Sequence, residues 1–347
     1  MEASEASDRP VIVVGCARSG TTLLQSMIHA HPRLAMPPEN RFMMPLYRSR
    51  RNFGDLRLDA NVDLLGEALT ARGTKINDLG LSAADVKTRL RATPATLGSM
   101  LGSVLVAYAE SHGRARWGDK RPNYIQFMDD IRALFPDAQF VHIIRDGRDS
   151  AASLLTMPWW DRGYVQAVHK WRHAIEAGHA AASAYGPGSY YEFRYEDLVA
   201  EPEQTLRGLC GYLGEDFDDA MLEPHRQRDL TPDYKTWHKG LSDPVNAKAV
   251  MRWQRDLTDD QVALFERVAG EQLREYGYEI TLDGRDPSPE LMAEWERVSA
   301  DHDAKEADRS RKDAARAKQY PHPVAAILTS GQREAAASAG WLDDYDR

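Results

Sequence analysis

Residues 11–32 read VIVVGCARSGTTLLQSMIHAHP. Four β-prone apolar residues, Val11 to Val14, run into Gly15, and a short polar turn closes at Gly20. Thr21 and Thr22 then open a segment whose apolar residues recur at helical spacing. Strand, tight loop and helix in that order form a phosphate cradle. In the common form, G-x-x-x-x-G-K-[ST], a lysine after the second glycine reaches the terminal phosphates of a nucleotide. Here that position is Thr21, and the loop's cation is Arg18, two residues before the glycine.

Composition bounds what such a loop serves. At 347 residues, with 42% hydrophobic and 28% charged residues, the chain suits one large α/β domain with an extension. A net charge of −9 argues against a general nucleic-acid binder and leaves room for a local basic pocket around a small anion. Two cysteines, Cys16 and Cys210, build no disulfide framework, and Cys16 lies inside the loop, which favours a reducing compartment. No apolar run approaches the roughly 18 residues of a membrane span. The opening MEASEASDRP has neither the basic start nor the apolar stretch of a signal peptide, so a cytoplasmic location is expected.

Along the chain, residues from about 41 to 115 are mostly helical in pattern, with a helix start at Ser82 and a buried helix in TPATLGSMLGSVLVAYAESHG. ARWGDKRPNYIQFMDDIRALFP reads as a second strand, loop and helix, with Pro122 early in a helix that ends before Pro136. AQFVHIIRDGRDSAASLL reads as a third, with a strand from Phe140 to Ile144, a charged turn and a helix from about Asp149. YVQAVHKWRHAIEAGHAAASAYG is an amphipathic helix stopping at Gly186, and SYYEFRYEDLVAEPEQTLRGLCGYLG is strand, turn and helix. Strands alternating with helices predict a P-loop-like, doubly wound and mostly parallel sheet, with ligands beyond the carboxyl ends of its strands. From about residue 284 a charged, Ala-rich helical extension runs to 347.

RSGTTLLQSMIHAHP, PPENR, DKRP, LFPDAQFVHIIRDGR, HKWRHAI, YEDL and PVN…W fall in one order along residues 10 to 280. In this the chain resembles the sulfotransferase superfamily, and within it the tyrosylprotein branch and its bacterial relatives. The resemblance implies a sulfotransferase domain over 1–283, with an acceptor-side helical insertion at about 41–115. It implies transfer of a sulfuryl group from 3′-phosphoadenosine-5′-phosphosulfate to an acceptor hydroxyl of a small metabolite, lipid, sugar or peptide tyrosine. No metal, nucleic acid or membrane span is expected, and a homo-oligomer is open. A phosphosulfate carries less charge than a triphosphate, so a magnesium ion and a loop lysine are less needed. Backbone N–H groups of Ser19, Gly20, Thr21 and Thr22, with the Thr22 hydroxyl, are placed to hold the 5′-phosphate at the helix N-terminus. Arg18 and Lys120 match donor contacts and are candidates for stabilising the leaving oxygen. Arg145 and Ser153 match the 3′-phosphate site, and Tyr195 a position near the adenosine.

The resemblance makes Glu39 the base that takes the acceptor proton, with His29, His31 and His142 as alternatives. Lys120 also reads as a partner of Asp119, Arg148 as a loop brace through Asp146, and Tyr195 as core. The relatives' Arg four residues beyond the serine is Met157 here, with Arg162 as a substitute, and Lys239, Ser242 and Lys248 are weak candidates before and after PVN. MPWWDRGY, residues 157–164, together with residues 36–115, suits a flat or greasy acceptor. Two rival functions stay open: a triphosphate-dependent kinase with Thr22 and Asp146 on magnesium and Lys120 as its lysine, and an inactive module binding adenosine 3′,5′-bisphosphate.

Overall fold

In the computed structural model, which describes residues 8–71, 73–226 and 246–319, β1 (Val11–Val14) is completely buried at the middle of a sheet. Its β-branched residues need cover on both faces, which a parallel strand between two helical layers receives. Ile12 and Val14 pack with one layer, which includes Leu105 and Trp171, and Val11 and Val13 with the other, which includes Leu24, Ile28 and Leu206. The chain continues through α1 (Thr21–Ala30), β2 (Leu34–Ala35), α2 (Met43–Arg48), α3 (Asp59–Thr70), α4 (Ala83–Arg91), α5 (Leu97–Ser111) and β3 (Arg116–Lys120). After α6 (Met128–Leu134) come β4 (Gln139–Ile144), α7 (Gly147–Leu155), α8 (Gly163–Tyr185), β5 (Tyr190–Arg194), α9 (Tyr195–Ala200) and α10 (Pro202–Leu213). α11 (Trp253–Asp256), α12 (Asp259–Glu275) and α13 (Pro289–Gln319) follow.

The five strands pair in the order β2-β3-β1-β4-β5, each pairing parallel, which is the doubly wound sheet expected. Register places Val13 opposite Lys120 and Val14 opposite His142. The loop after β1 therefore starts beside Lys120 on one side and the end of β4 on the other. With β3 and β4 flanking β1, this is the switch point at which parallel sheets bind ligands.

Local chemistry sets the element ends. Ser82 starts α4 through a capping box with Asp85, and His31 closes α1. One expected single helix is split, and the turn expected after β5 holds a short helix, α9. After β3 a 3-10 turn over Pro122–Gln126 ends at Phe127, whose φ of −132° is not helical, before α6 begins. α9 and α10 separate at Glu201, also at φ −132°, because the residue before Pro202 is driven from helical geometry. β2, only two residues long, carries no sequence signal and forms by pairing with β3. α13 lays Trp295 and Val298, both buried, on the core side, and Trp295 stacks on His169 of α8 at 4.0 Å. No helix among the described residues is long and apolar enough to cross a membrane.

Candidate active site

The loop from Gly15 to Gly20 is tight. Gly15 has φ 154°, and a Cβ there would stand 2.7 Å from the Ile143 carbonyl oxygen. Ser19 N–H donates to Cys16 O at 3.2 Å, closing a turn that puts Arg18 at φ 75°. Gly20, at φ 89°, precedes α1 with no side-chain cap. The first N–H groups of α1 thus lack both intrahelical and capping partners, and the helix dipole adds positive potential there.

Two groups of side chains meet this loop. In the first, Lys120 Nζ lies 3.3 Å from Thr22 Oγ1 and 3.3 Å from Glu39 Oε1. Lys120 is 3% exposed and Glu39 30%. The Thr22 hydroxyl accepts from the ammonium and keeps its own O–H for donation. Glu39 reaches the loop because α1 holds the returning chain. His29 Nδ1 accepts Met36 N–H at 3.0 Å, and Gln25 Nε2, one turn away, donates to the Pro37 carbonyl. The Lys120 side chain pairs with Glu39, and toward Asp119 the bond runs from the Lys120 backbone N–H, at 2.8 Å, since successive strand residues point to opposite faces.

In the second group, Arg18 Nε donates to Ser153 Oγ at 3.1 Å, and Arg145 Nη1 to the Arg18 carbonyl at 2.9 Å. The Arg145 guanidinium also covers the Tyr195 ring at 4.9 Å, pairs with Asp149 at 3.3 Å and donates to the Ala249 carbonyl. Arg145 Nε is buried without a hydrogen-bond partner among the described residues. Burial, then the Arg145 and Arg252 charges, hold Arg18 below the ordinary guanidinium value, and Arg18 makes no ion pair among the described residues. Cations crowded this way, with an orphaned donor, suit an anion. Tyr195 packs on the loop itself, because a Cβ at Gly20 would lie 2.4 Å from its Cδ2.

The alternative bases are engaged elsewhere. His31 accepts Arg33 N–H on Nδ1 and so donates from Nε2 to Asp216 O at 2.9 Å. His142 is buried at 2.7 Å from Tyr190 OH and 3.7 Å from Glu192, and burial lowers its pKa. Asp146, the acid a magnesium site would need, caps α7 and holds Arg148 at 2.8 Å, while Arg148 reaches Glu266 at 2.6 Å. Arg148 is thus a brace between α7 and α12.

Arg162 is exposed at the start of α8, Trp160 donates to the Gly163 carbonyl at 3.1 Å, and Trp159 is exposed. Lys248 is exposed, and Lys239 and Ser242 lie outside the described residues. A cavity of about 540 Å³, lined by Thr93, Gly98, Trp117 and Phe135, opens beside Pro10, at the end of the sheet away from the loop.

Sequence reading missed the service of Asn40, Asp149 and Ser150. Asn40 donates to Asp119 at 2.9 Å, and Ser150 Oγ lies 3.4 Å from Ser19 Oγ. Asp149 accepts the N–H groups of Met251 and Trp253, each at 2.9 Å, which seats the chain after PVN over α7. The spacing of short polar residues on the first turn of α7 carried the Ser150 signal; the other two depend on tertiary contact.

A parallel sheet carries at its switch point a loop-to-helix turn without a side-chain cap and without the loop lysine, ringed by Arg18, Arg145 and Lys120, an arrangement of positive charge suited to an anion. Residues 10–219 match the model of the sulfotransferase family, and the chain belongs to that family. It is 26% identical over 269 residues to a protein-tyrosine sulfotransferase of Drosophila melanogaster, covering 74% of this chain and 49% of that protein. Against protein-tyrosine sulfotransferase A of Caenorhabditis elegans it is 25% identical over 281 residues, covering 78% and 67%. The chain thus spans about half the length of the first relative and two thirds of the second. The sulfotransferase domain from the curacin biosynthetic pathway shares the fold, with a TM-score of 0.57 at 20% identity over 80% of this chain and all of that one.

Proposed function

We propose that this chain transfers a sulfuryl group from 3′-phosphoadenosine-5′-phosphosulfate to an acceptor hydroxyl. The observation that carries the reading is the meeting of Thr22, Lys120 and Glu39 at the mouth of an anion loop, with the ammonium 3.3 Å from each oxygen. The donor fits the residues present. The loop N–H groups and the Thr22 hydroxyl hold the 5′-phosphate. Arg145, with its unused Nε, takes the 3′-phosphate together with Ser153; Arg18, expected at the leaving oxygen, is bonded to Ser153 and is assigned here to the same group, and Tyr195 supports the adenosine.

In the reaction the acceptor oxygen attacks sulfur in line, its proton passes to the Glu39 carboxylate, and the bond from sulfur to the 5′-phosphate oxygen breaks. Charge then gathers on that oxygen. Lys120 and the α1 N-terminus stabilise it, and the products are a sulfated acceptor and adenosine 3′,5′-bisphosphate. The relatives act on protein tyrosine, as their names state, and a phenolic side chain of a peptide or a small hydroxylated molecule is the acceptor class taken over from them. Residues 36–115 together with residues 157–164 supply its pocket, and residues 284–347 are an extension to the catalytic domain.

Calorimetry with adenosine 3′,5′-bisphosphate in the absence of magnesium tests the donor site, and labelled donor with phenols, sugars, lipids and tyrosine peptides tests transfer. Tight bisphosphate binding with label in one acceptor class is expected. Preference for magnesium-bound ATP, or bisphosphate binding with no transfer to any class, overturns the reading.

A further inference from the structure

Asp119 stands one residue before Lys120 on β3, fully buried, and the reaction above gives it no part. Its Oδ1 accepts Lys120 N–H at 2.8 Å and Asn40 Nδ2 at 2.9 Å, and its Oδ2 accepts Tyr124 OH at 2.9 Å. All three donors are neutral. Burial raises its pKa, and the bonds from Tyr124, Asn40 and the Lys120 backbone oppose that shift. A buried carboxylate held by neutral donors is a costly way to fill space, since apolar residues of similar size pack as well. Its geometric effect is specific. It binds the residue after Glu39 to the backbone of Lys120, and those two neighbours carry the groups that stand 3.3 Å apart.

Asn40 is also fully buried and holds its place through Nδ2, because its Oδ1 has no hydrogen-bond partner among the described residues. Gln25 and His29 pin the backbone at Pro37 and Met36 to α1. The Asn40–Asp119 bond pins the other end of the same turn to β3.

We propose that Asp119 and Asn40 are positioning residues for the reaction, a clamp across β3 that fixes the Glu39 carboxylate against the Lys120 ammonium. The proposal rests on the reading of Glu39 as base. Neither residue reaches the reacting atoms. Each acts by restricting the turn that carries Glu39, and misplacement of a reacting group by about 1 Å is worth up to roughly a hundredfold in rate.

The test is a cycle of variants in the full chain. Asn40→Ala, Asp119→Asn and the exchanged pair Asn40→Asp with Asp119→Asn are made with Glu39 intact and with Glu39→Gln. Turnover, acceptor KM and affinity for adenosine 3′,5′-bisphosphate are measured on each. With Glu39 intact, Asn40→Ala is expected to lower kcat between about ten- and a hundredfold and to hold bisphosphate affinity within about twofold. The exchanged pair restores a donor facing a carboxylate and recovers most of that loss. In the Glu39→Gln background Asn40→Ala costs little more, because the group it positions is gone.

An equal loss in both backgrounds, with Glu39→Gln itself impaired, overturns the clamp and leaves the base in place. Full turnover by Glu39→Gln overturns the base and the clamp together. Should Asp119→Asn not fold, Asn40→Ser, which keeps the volume small and a hydroxyl donor within the pocket, takes its place and is expected to lose less than Asn40→Ala. A greater loss for Ser than for Ala also counts against the clamp.

Discussion

Glu39 and Lys120, 81 positions apart in the chain, pair at 3.3 Å across the mouth of the phosphate loop. Before substrates arrive the pair neutralises two charges, one of them on a side chain almost wholly buried. In the proposed reaction an acceptor hydroxyl entering beside Glu39 frees the ammonium for the leaving oxygen. There the same contact holds the proposed base beside the cation that answers the leaving oxygen.

Glu39→Gln keeps nearly the same shape and removes the proposed base. Turnover on an alkyl alcohol is expected to fall on the order of a hundredfold or more, with bisphosphate affinity unchanged. The loss shrinks for acidic phenols, which ionise without help. Parallel rate measurements on a graded set of acceptors check this, and a loss that ignores acceptor acidity refutes it.

Lys120→Ala is expected to act on the rate far more than on ground-state affinity, because the charge it answers grows as the sulfur–oxygen bond breaks. Single-turnover rates set against calorimetric affinity for adenosine 3′,5′-bisphosphate separate the two. Equal losses in both would make Lys120 a binding group only.

Arg18→Ala and Arg145→Ala each remove a charge-assisted contact to the proposed 3′-phosphate, worth roughly 1.5–3 kcal/mol of bisphosphate affinity. Adenosine 5′-monophosphate, which lacks that phosphate, should feel the Arg145 change much less. The fold is expected to survive Arg145→Ala, since Asp149 would still accept from the N–H groups of Met251 and Trp253, and a thermal melt of the variant checks this. A variant that binds the bisphosphate like wild type places the 3′-phosphate elsewhere.

Gly20→Ala sets a side chain at φ 89°, where the left-handed backbone costs roughly 1–2 kcal/mol, and drives a methyl into the Tyr195 ring. Lower thermal stability and weaker bisphosphate binding are both expected. Pairing it with Tyr195→Ala removes the clash and leaves the backbone cost, so the double variant should recover part of the stability. No recovery would mean that the ring is not the obstacle.

The parallel sheet was legible because β1, β3 and β4 each end in a turn that passes into helical structure, and local patterns of period 2 and 3.6 report that directly. That Arg18, Arg145 and Ser153 come together was legible for the same reason, since Arg18 and Arg145 sit on those turns and Ser153 follows in the second turn of α7. The Asn40–Asp119 bond was not, because neither residue type has a local preference that reveals a partner 79 positions away. The break at Phe127 was hidden too. Nothing in PNYIQFMDD forbids a continuous helix, and the break comes with the packing of α6 and the turn before it, not with a Gly or Pro at the break. α13 looked poorly anchored by its mean composition, yet Trp295 and Val298 suffice to seat its first turns.

That seat is expected to respond to pH. His169 of α8 stacks between Trp295, at 4.0 Å, and His302, at 4.7 Å, both on α13, and its Nε2 lies 3.0 Å from Ser299 Oγ. Burial, followed by the neighbouring His302, His173 and Arg172 charges, pushes His169 down to about 4. Burial also lowers His302, with His173 and Lys305 acting in the same sense and Asp301 and Asp303 against it. Both groups are thus below the value of about 6.5 they regain when α13 leaves α8. The released state then binds more protons, so docking is complete above pH 6.5 and weakens as pH falls from there toward 4. Tryptophan fluorescence and amide exchange over residues 289–302 should report release of α13 across that window while the sheet remains protected. His169→Phe keeps an aromatic ring against Trp295 and cannot titrate, so it should flatten most of the response. A response of full size in that variant would place the titrating group elsewhere on the α8–α13 contact.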